Sequence, residues 1–238
     1  MLSTAQNSPH EARLRAALAA LRRRIQAAAE AAGRNVDDIT LLAVSKGHPV
    51  EAVAAARALG LTAFGENYVA EAVEKIRAFT GQADPPQWHF IGRLQANKTR
   101  PIAAHFDWVH GVDRLKVAER LSVQRGHYQP PLQVCLQVNV AGEDRKAGVA
   151  PAEVATLAAA VAALPRLTLR GLMCMLPFGA SAAEQAAGFG ALRRLLEQVN
   201  RNGLALDTLS MGMSADLEAA VEQGSTLLRI GTALFGER

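Results

Sequence analysis

Residues 39–65 read ITLLAVSKGHPVEAVAAARALGLTAFG. Ile39–Val44 is a short apolar run, the pattern of a parallel strand covered on both faces. Ser45-Lys46-Gly47-His48-Pro49 interrupts it. Val50–Leu59 then carries apolar residues at helical spacing, and Thr62–Gly65 returns as a second short strand. Strand, helix and strand make one βαβ unit.

The unit repeats along the chain. Further strands are predicted at Trp88–Ile91, Asp107–His110, Leu132–Val138, Leu167–Met175, Thr208–Met211 and Leu227–Ile230. Helical patterns separate them at Tyr68–Phe79, Ala96–Ala104, Arg114–Arg125, Pro151–Ala163, Ala182–Asn200 and Ala215–Gln223. Eight strands alternating with helices predict an α/β fold of the (β/α)8 TIM-barrel type. A doubly wound open sheet is the alternative, but no GxGxxG follows the first strand. Gly231–Arg238 leaves room for one helical turn after the last strand. The expected substitute is an extra N-terminal helix in the outer ring. Ser8-Pro9-His10-Glu11 reads as its capping box, Leu14, Leu18, Leu21 and Ile25 as its apolar stripe, and Gly33 as its stop. Residues 1–238 thus read as a single domain, with a capping helix over 1–33 and the barrel over 39–236.

Composition agrees. The 238 residues suit one barrel, and 50% hydrophobic residues suffice for its core. Aromatics are only 5%, so that core is aliphatic. Collagen, disorder and disulfide scaffolds are excluded. Met1–His10 has no apolar signal segment, and no run approaches about 18 apolar residues, so a cytoplasmic protein without a membrane partner is expected. Cys135 and Cys174 lie in apolar runs and read as reduced core thiols. The net charge is +4, with Arg13, Arg15, Arg22, Arg23 and Arg24 clustered near the start. No aromatics interleave with these arginines, so they read as a solvated helix face and not a nucleic-acid surface.

In such barrels the chemistry gathers where strands end. Of five lysines, Lys46 and Lys146 fall at strand ends, whereas Lys75, Lys98 and Lys116 fall on helices, where a solvated charge is expected. A rim lysine desolvated by apolar neighbours can attack carbonyls and form a Schiff base; an ion pair is the competing role. Ser210-Met211-Gly212-Met213-Ser214 follows strand seven, and Gly231-Thr232-Ala233 follows strand eight. Loops at these places form the phosphate site of many barrels. Arg229 interrupts the last apolar strand and, if buried, needs a partner. Lysine, phosphate cradle and inward arginine suit pyridoxal 5′-phosphate (PLP), which carries an aldehyde and a phosphate. A sugar-phosphate aldolase needs the same two features, and spacing does not separate them.

Resemblance does. Leu41-Leu42-Ala43-Val44-Ser45-Lys46, Phe64-Gly65-Glu66-Asn67-Tyr68, Trp88-His89-Phe90-Ile91-Gly92, Leu209-Ser210-Met211-Gly212-Met213-Ser214 and Arg229-Ile230-Gly231-Thr232-Ala233-Leu234-Phe235-Gly236 resemble the PLP homeostasis protein family. These are relatives of the barrel domain of bacterial alanine racemases. The resemblance covers about Leu41 to Gly236, departing at Gly47, His48 and Arg93. It implies that Lys46 holds the cofactor as a Schiff base and that Ser210, Ser214, Gly231 and Thr232, with Met211 in the same loop, surround its phosphate. Arg229 matches the arginine facing the pyridine nitrogen. Asn67 is a candidate partner for a ring substituent, or a turn cap. His89 reads as a satisfied core histidine beside the site, and Lys146 as a solvated loop lysine or a second aldehyde-reactive one.

The resemblance implies a carrier or buffer of PLP without efficient turnover, with PLP-dependent apoenzymes as recipients and a monomeric or weakly dimeric state. An amino-acid racemase is the alternative, and a Schiff-base aldolase a weaker one. Racemisation needs a base on each face of the substrate, and Lys46 supplies one. The tyrosines are Tyr68 and Tyr128, and only Tyr68 falls on the face of Lys46.

Overall fold

In the computed structural model, which describes residues 9–142 and 147–237, the strands close into a parallel barrel in the order β1 to β8. β1 (Thr40–Val44) pairs with both β2 (Ala63–Glu66) and β8 (Leu227–Ile230), which excludes the open sheet. Between them run β3 (Gln87–Phe90), β4 (Trp108–Val112), β5 (Leu132–Gln137), β6 (Leu167–Met173) and β7 (Thr208–Ser210).

The ring outside begins with α1 (Pro9–Ala31). Leu14, Leu18, Leu21, Ile25 and Ala29 are buried along one stripe of it. That stripe packs α1 on α8 (Leu217–Glu222) and on the final turn α9 (Thr232–Phe235). The N-terminal helix therefore completes the ring, as expected. Its predicted cap Ser8 lies outside the described residues. The remaining helices are α2 (Val50–Ala58), α3 (Val69–Phe79), α4 (Thr99–His105), α5 (Leu115–Gln124), α6 (Val154–Ala162) and α7 (Ala182–Arg201). Ser181 caps α7 with a full capping box closed by Glu184.

Side chains alternate across each strand. One set, including Ala43, Phe64, Phe90 and Val109, packs outward into the main core beneath the helices. The other set fills the barrel. Leu42, Ala63 and Leu227 make one apolar cluster there, and Trp108, Cys135 and Met173 another. Between these clusters the interior carries polar groups, which bear on function.

Candidate functional site

Lys46 follows β1 and shares a cavity of about 250 Å³ with Val44, His48, Gly231, Thr232, Gly236 and Glu237. The structure thus brings the predicted lysine together with the loop after β8. Lys46 is half-buried. The backbone on each side of it is anchored. The Lys75 ammonium donates to the Ser45 carbonyl (2.7 Å), to Glu66 Oε1 (2.7 Å) and to Glu71 Oε1 (2.6 Å). The Ser45 hydroxyl donates to Glu66 Oε1, and the Gly47 N–H to Glu71 Oε1. Burial pushes the Glu66 carboxyl up, against the hydrogen bonds from Lys75 and Ser45.

This corrects one sequence expectation. Lys75 is 4% exposed and not solvated. It sits on the inward face of α3 because two carboxylates and a carbonyl compensate its charge. The second predicted strand ends at Gly65, and the sequence assigns Glu66 no role; the structure extends β2 to Glu66, whose partners come from α3 and β1.

Arg229 is 5% exposed and has no carboxylate within salt-bridge distance among the described residues. Its Nη1 donates to the Ser210 carbonyl (2.6 Å) and hydroxyl (2.7 Å), and its Nη2 to the Cys174 carbonyl (2.8 Å). A guanidinium has five N–H groups. The Nε–H and one Nη2–H are left over among the described residues. Burial lowers the Arg229 pKa, yet its ordinary value is high enough to keep the charge. A buried cation held only by neutral oxygens costs several kcal/mol. It is therefore suited to a ligand that brings an acceptor. Its Cα is level with Leu42 on the neighbouring strand, four residues deeper than Lys46.

The loops after β7 and β8 are joined directly. The Ala233 N–H donates to the Ser214 hydroxyl (3.2 Å). Arg24 of α1 donates to the Ser214 carbonyl and forms an ion pair with Glu218 (2.8 Å), so one arginine of the basic cluster clasps this loop. Gly212 makes the turn with φ of +93°, and a Cβ there would lie 2.5 Å from that of Ala220. Met211 is fully buried in the core, its carbonyl held by the Ser225 hydroxyl. It supports the loop by packing. The hydroxyl of Ser210 is engaged by Arg229 and His110 inside the barrel, so the structure groups it with Arg229 and not with the Ser214–Thr232 pair.

Asn67 follows β2, and its Oδ1 is buried with no hydrogen-bond partner among the described residues. Gly92 lets the neighbouring loop approach, since a Cβ there would meet the Asn67 carbonyl oxygen at 2.3 Å. His89 is a core histidine, as read from the sequence, stacked on Trp108 at 5.2 Å between ring centroids. Lys146 lies outside the described residues. His110 was not singled out by the sequence. It lies inside a predicted strand, and its contact with Ser210 spans 100 positions.

A barrel with its lysine after β1, its small-residue cradle after β7 and β8, and a buried arginine in β8 is of the alanine-racemase kind. The family model described as alanine racemase, N-terminal domain, matches residues 16–238. The pyridoxal phosphate homeostasis protein of Pseudomonas aeruginosa is 58% identical over 216 residues, covering 90% of this chain and 91% of that protein. The protein of the same name from Escherichia coli K12 is 50% identical over 231 residues, covering 93% and 95%. The solved structure of PipY from Synechococcus elongatus with PLP bound superposes with a TM-score of 0.82 at 38% identity, covering 94% of this chain and all of that one. The chain belongs to the pyridoxal phosphate homeostasis protein family.

Proposed function

We propose that this protein binds PLP through Lys46 and serves as an intracellular carrier or buffer of the cofactor, without efficient turnover of a substrate. The observation that carries the reading is the common cavity of Lys46, Gly231 and Thr232, backed by the uncompensated Arg229. When bound, PLP supplies an aldehyde for an amine and a pyridine ring that can withdraw electrons. Lys46 provides the amine. Ser214, Gly231 and Thr232 surround the phosphate, with Met211 packed beneath. Arg229 donates to the pyridine nitrogen, and Asn67, whose Oδ1 is buried without a partner among the described residues, offers its amide to a ring substituent. Ser210 belongs to the same site through its hold on Arg229.

Arg229 also argues against transamination and other chemistry that needs a strongly stabilised carbanion. It can donate but not accept, so it leaves the ring nitrogen unprotonated and the ring a weak electron sink. The tyrosine at the mouth, Tyr68, is 58% exposed at the start of α3, unlike a base desolvated for proton abstraction. PLP-dependent apoenzymes are the recipients this reading implies.

The test is a titration with PLP followed by amino-acid assays. A visible absorbance band should grow to saturation and vanish in Lys46→Ala, while common amino acids show no saturable turnover. Racemisation or decarboxylation that saturates and depends on Lys46 would replace the carrier with an enzyme.

A further inference from the structure

The barrel interior holds an unbroken line of hydrogen bonds. It starts at Arg229 Nη1, which donates to Ser210 Oγ at 2.7 Å. Ser210 Oγ is 2.8 Å from His110 Nδ1, His110 Nε2 is 2.9 Å from His89 Nδ1, and His89 Nε2 is 3.0 Å from Gln87 Oε1. The line crosses from β8 and β7 to β4 and β3. It ends at exposed Gln87, in a second cavity of about 470 Å³ at the opposite barrel mouth.

Chemistry gives the line one direction. Arg229 is always a donor, so Ser210 Oγ accepts from it. Ser210 is fully buried, and its hydroxyl has no other neighbour within hydrogen-bond distance among the described residues than Arg229 and His110. Its single proton must go to His110 Nδ1; the reverse order strands a buried O–H, at about 1–3 kcal/mol. His110 therefore carries its proton on Nε2 and gives it to His89 Nδ1. His89 in turn carries its proton on Nε2 and gives it to Gln87. Both imidazoles are neutral in this arrangement, and burial independently holds both below the usual histidine range.

We propose that His110 and His89 are positioning residues for Arg229: the one-way line from Arg229 through Ser210 to Gln87 fixes the guanidinium's rotamer and leaves its remaining N–H groups for the ligand. The inference rests on the PLP reading for its ligand, but not for its geometry. It also assigns the Ser210 proton to His110, so the Ser210 hydroxyl makes no donation to a phosphate.

Two measurements test it. The first uses the full-length protein without PLP, with ¹⁵N-labelled histidine. It should show a ¹⁵N–¹⁵N coupling across the His110–His89 hydrogen bond, with the proton on His110 Nε2. A proton on His89 Nδ1, a charged imidazole or no coupling would overturn the direction, whatever PLP does. The second compares PLP affinity in His110→Phe and His110→Asn. Phe removes the acceptor for Ser210 and should raise Kd about tenfold, the effect of one lost buried hydrogen bond. Asn returns an acceptor at the Nδ1 position and should restore most of the affinity. Equal affinity in both variants would overturn the positioning role. If His110→Phe does not fold, His110→Asn with near-native affinity still supports it, and a tenfold loss there overturns it. Wild-type protein that binds no PLP at all would defeat the ligand reading and leave the coupling to decide the geometry.

Discussion

Lys46 is placed by its neighbours in sequence, and they are placed by a lysine from another element. The Lys75 ammonium touches two carboxylates and the carbonyl of Ser45. Lys75→Met would leave Glu66 and Glu71 facing each other without a cation. Removing one partner of a buried pair costs about 3–5 kcal/mol. The expected outcome is a loss of stability of that size in urea denaturation, together with weaker PLP binding because the backbone around Lys46 is released. Unchanged stability would show that the cluster is solvated. At this scale the sequence was readable where a residue's place in the fold follows from its own position. Lys46, Gly231 and Thr232 end strands, and the structure gathers them. Glu66, Lys75 and His110 were hidden because their roles depend on partners from other strands and helices, and no local pattern announces those.

The elements were legible because a buried parallel strand is an apolar run and its helix has a different period. Their ends were less so. β4 continues to Val112, beyond the predicted His110, because Val112 pairs with Leu136 after an irregularity in register. β6 stops at Met173, where its pairing with Ser210 ends, and not at Met175. α4 starts at Thr99 and not Ala96, after a turn closed by the Lys98 N–H on the Gln95 carbonyl. The loop after β7 carries a sharper consequence. Gly212 combines φ of +93° with space too small for a methyl group, and its carbonyl accepts the Arg229 N–H at 3.0 Å. Gly212→Ala adds backbone strain of about 1–3 kcal/mol and a clash. It should destabilise the fold by more than 2 kcal/mol, roughly the sum of the two, and loosen PLP. A thermal melt matching the parent protein would show that the turn relaxes freely.

The whole molecule buries two imidazoles in the middle of a barrel that also holds an arginine. In the unfolded chain each imidazole takes a proton near pH 6.5, but folded His89 is pulled down to about 3 by desolvation, and His110 lies well below the ordinary value through burial, His89 and Arg229. The unfolded state therefore binds more protons below pH 6.5, and stability falls as pH falls. The slope is up to about 1.4 kcal/mol per pH unit for each histidine. His105, also lowered by burial, acts in the same direction; Glu66, raised by burial, acts oppositely at pH above its ordinary value. Denaturation at pH 6.5 and 5.0 should show a clear loss at the lower pH, and equal stability would mean that His89 and His110 are already protonated in the fold.

The same molecule-wide arrangement supports the proposal that Lys46, and not Lys75, anchors the cofactor. One lysine borders the cavity with Gly231 and Thr232, and the other is spent between carboxylates. Borohydride reduction of the PLP-loaded protein, followed by peptide mass mapping, reads this directly. One pyridoxyl group is expected, on the peptide carrying Lys46. A label on Lys75, on Lys146 in place of Lys46, or on no lysine would contradict it.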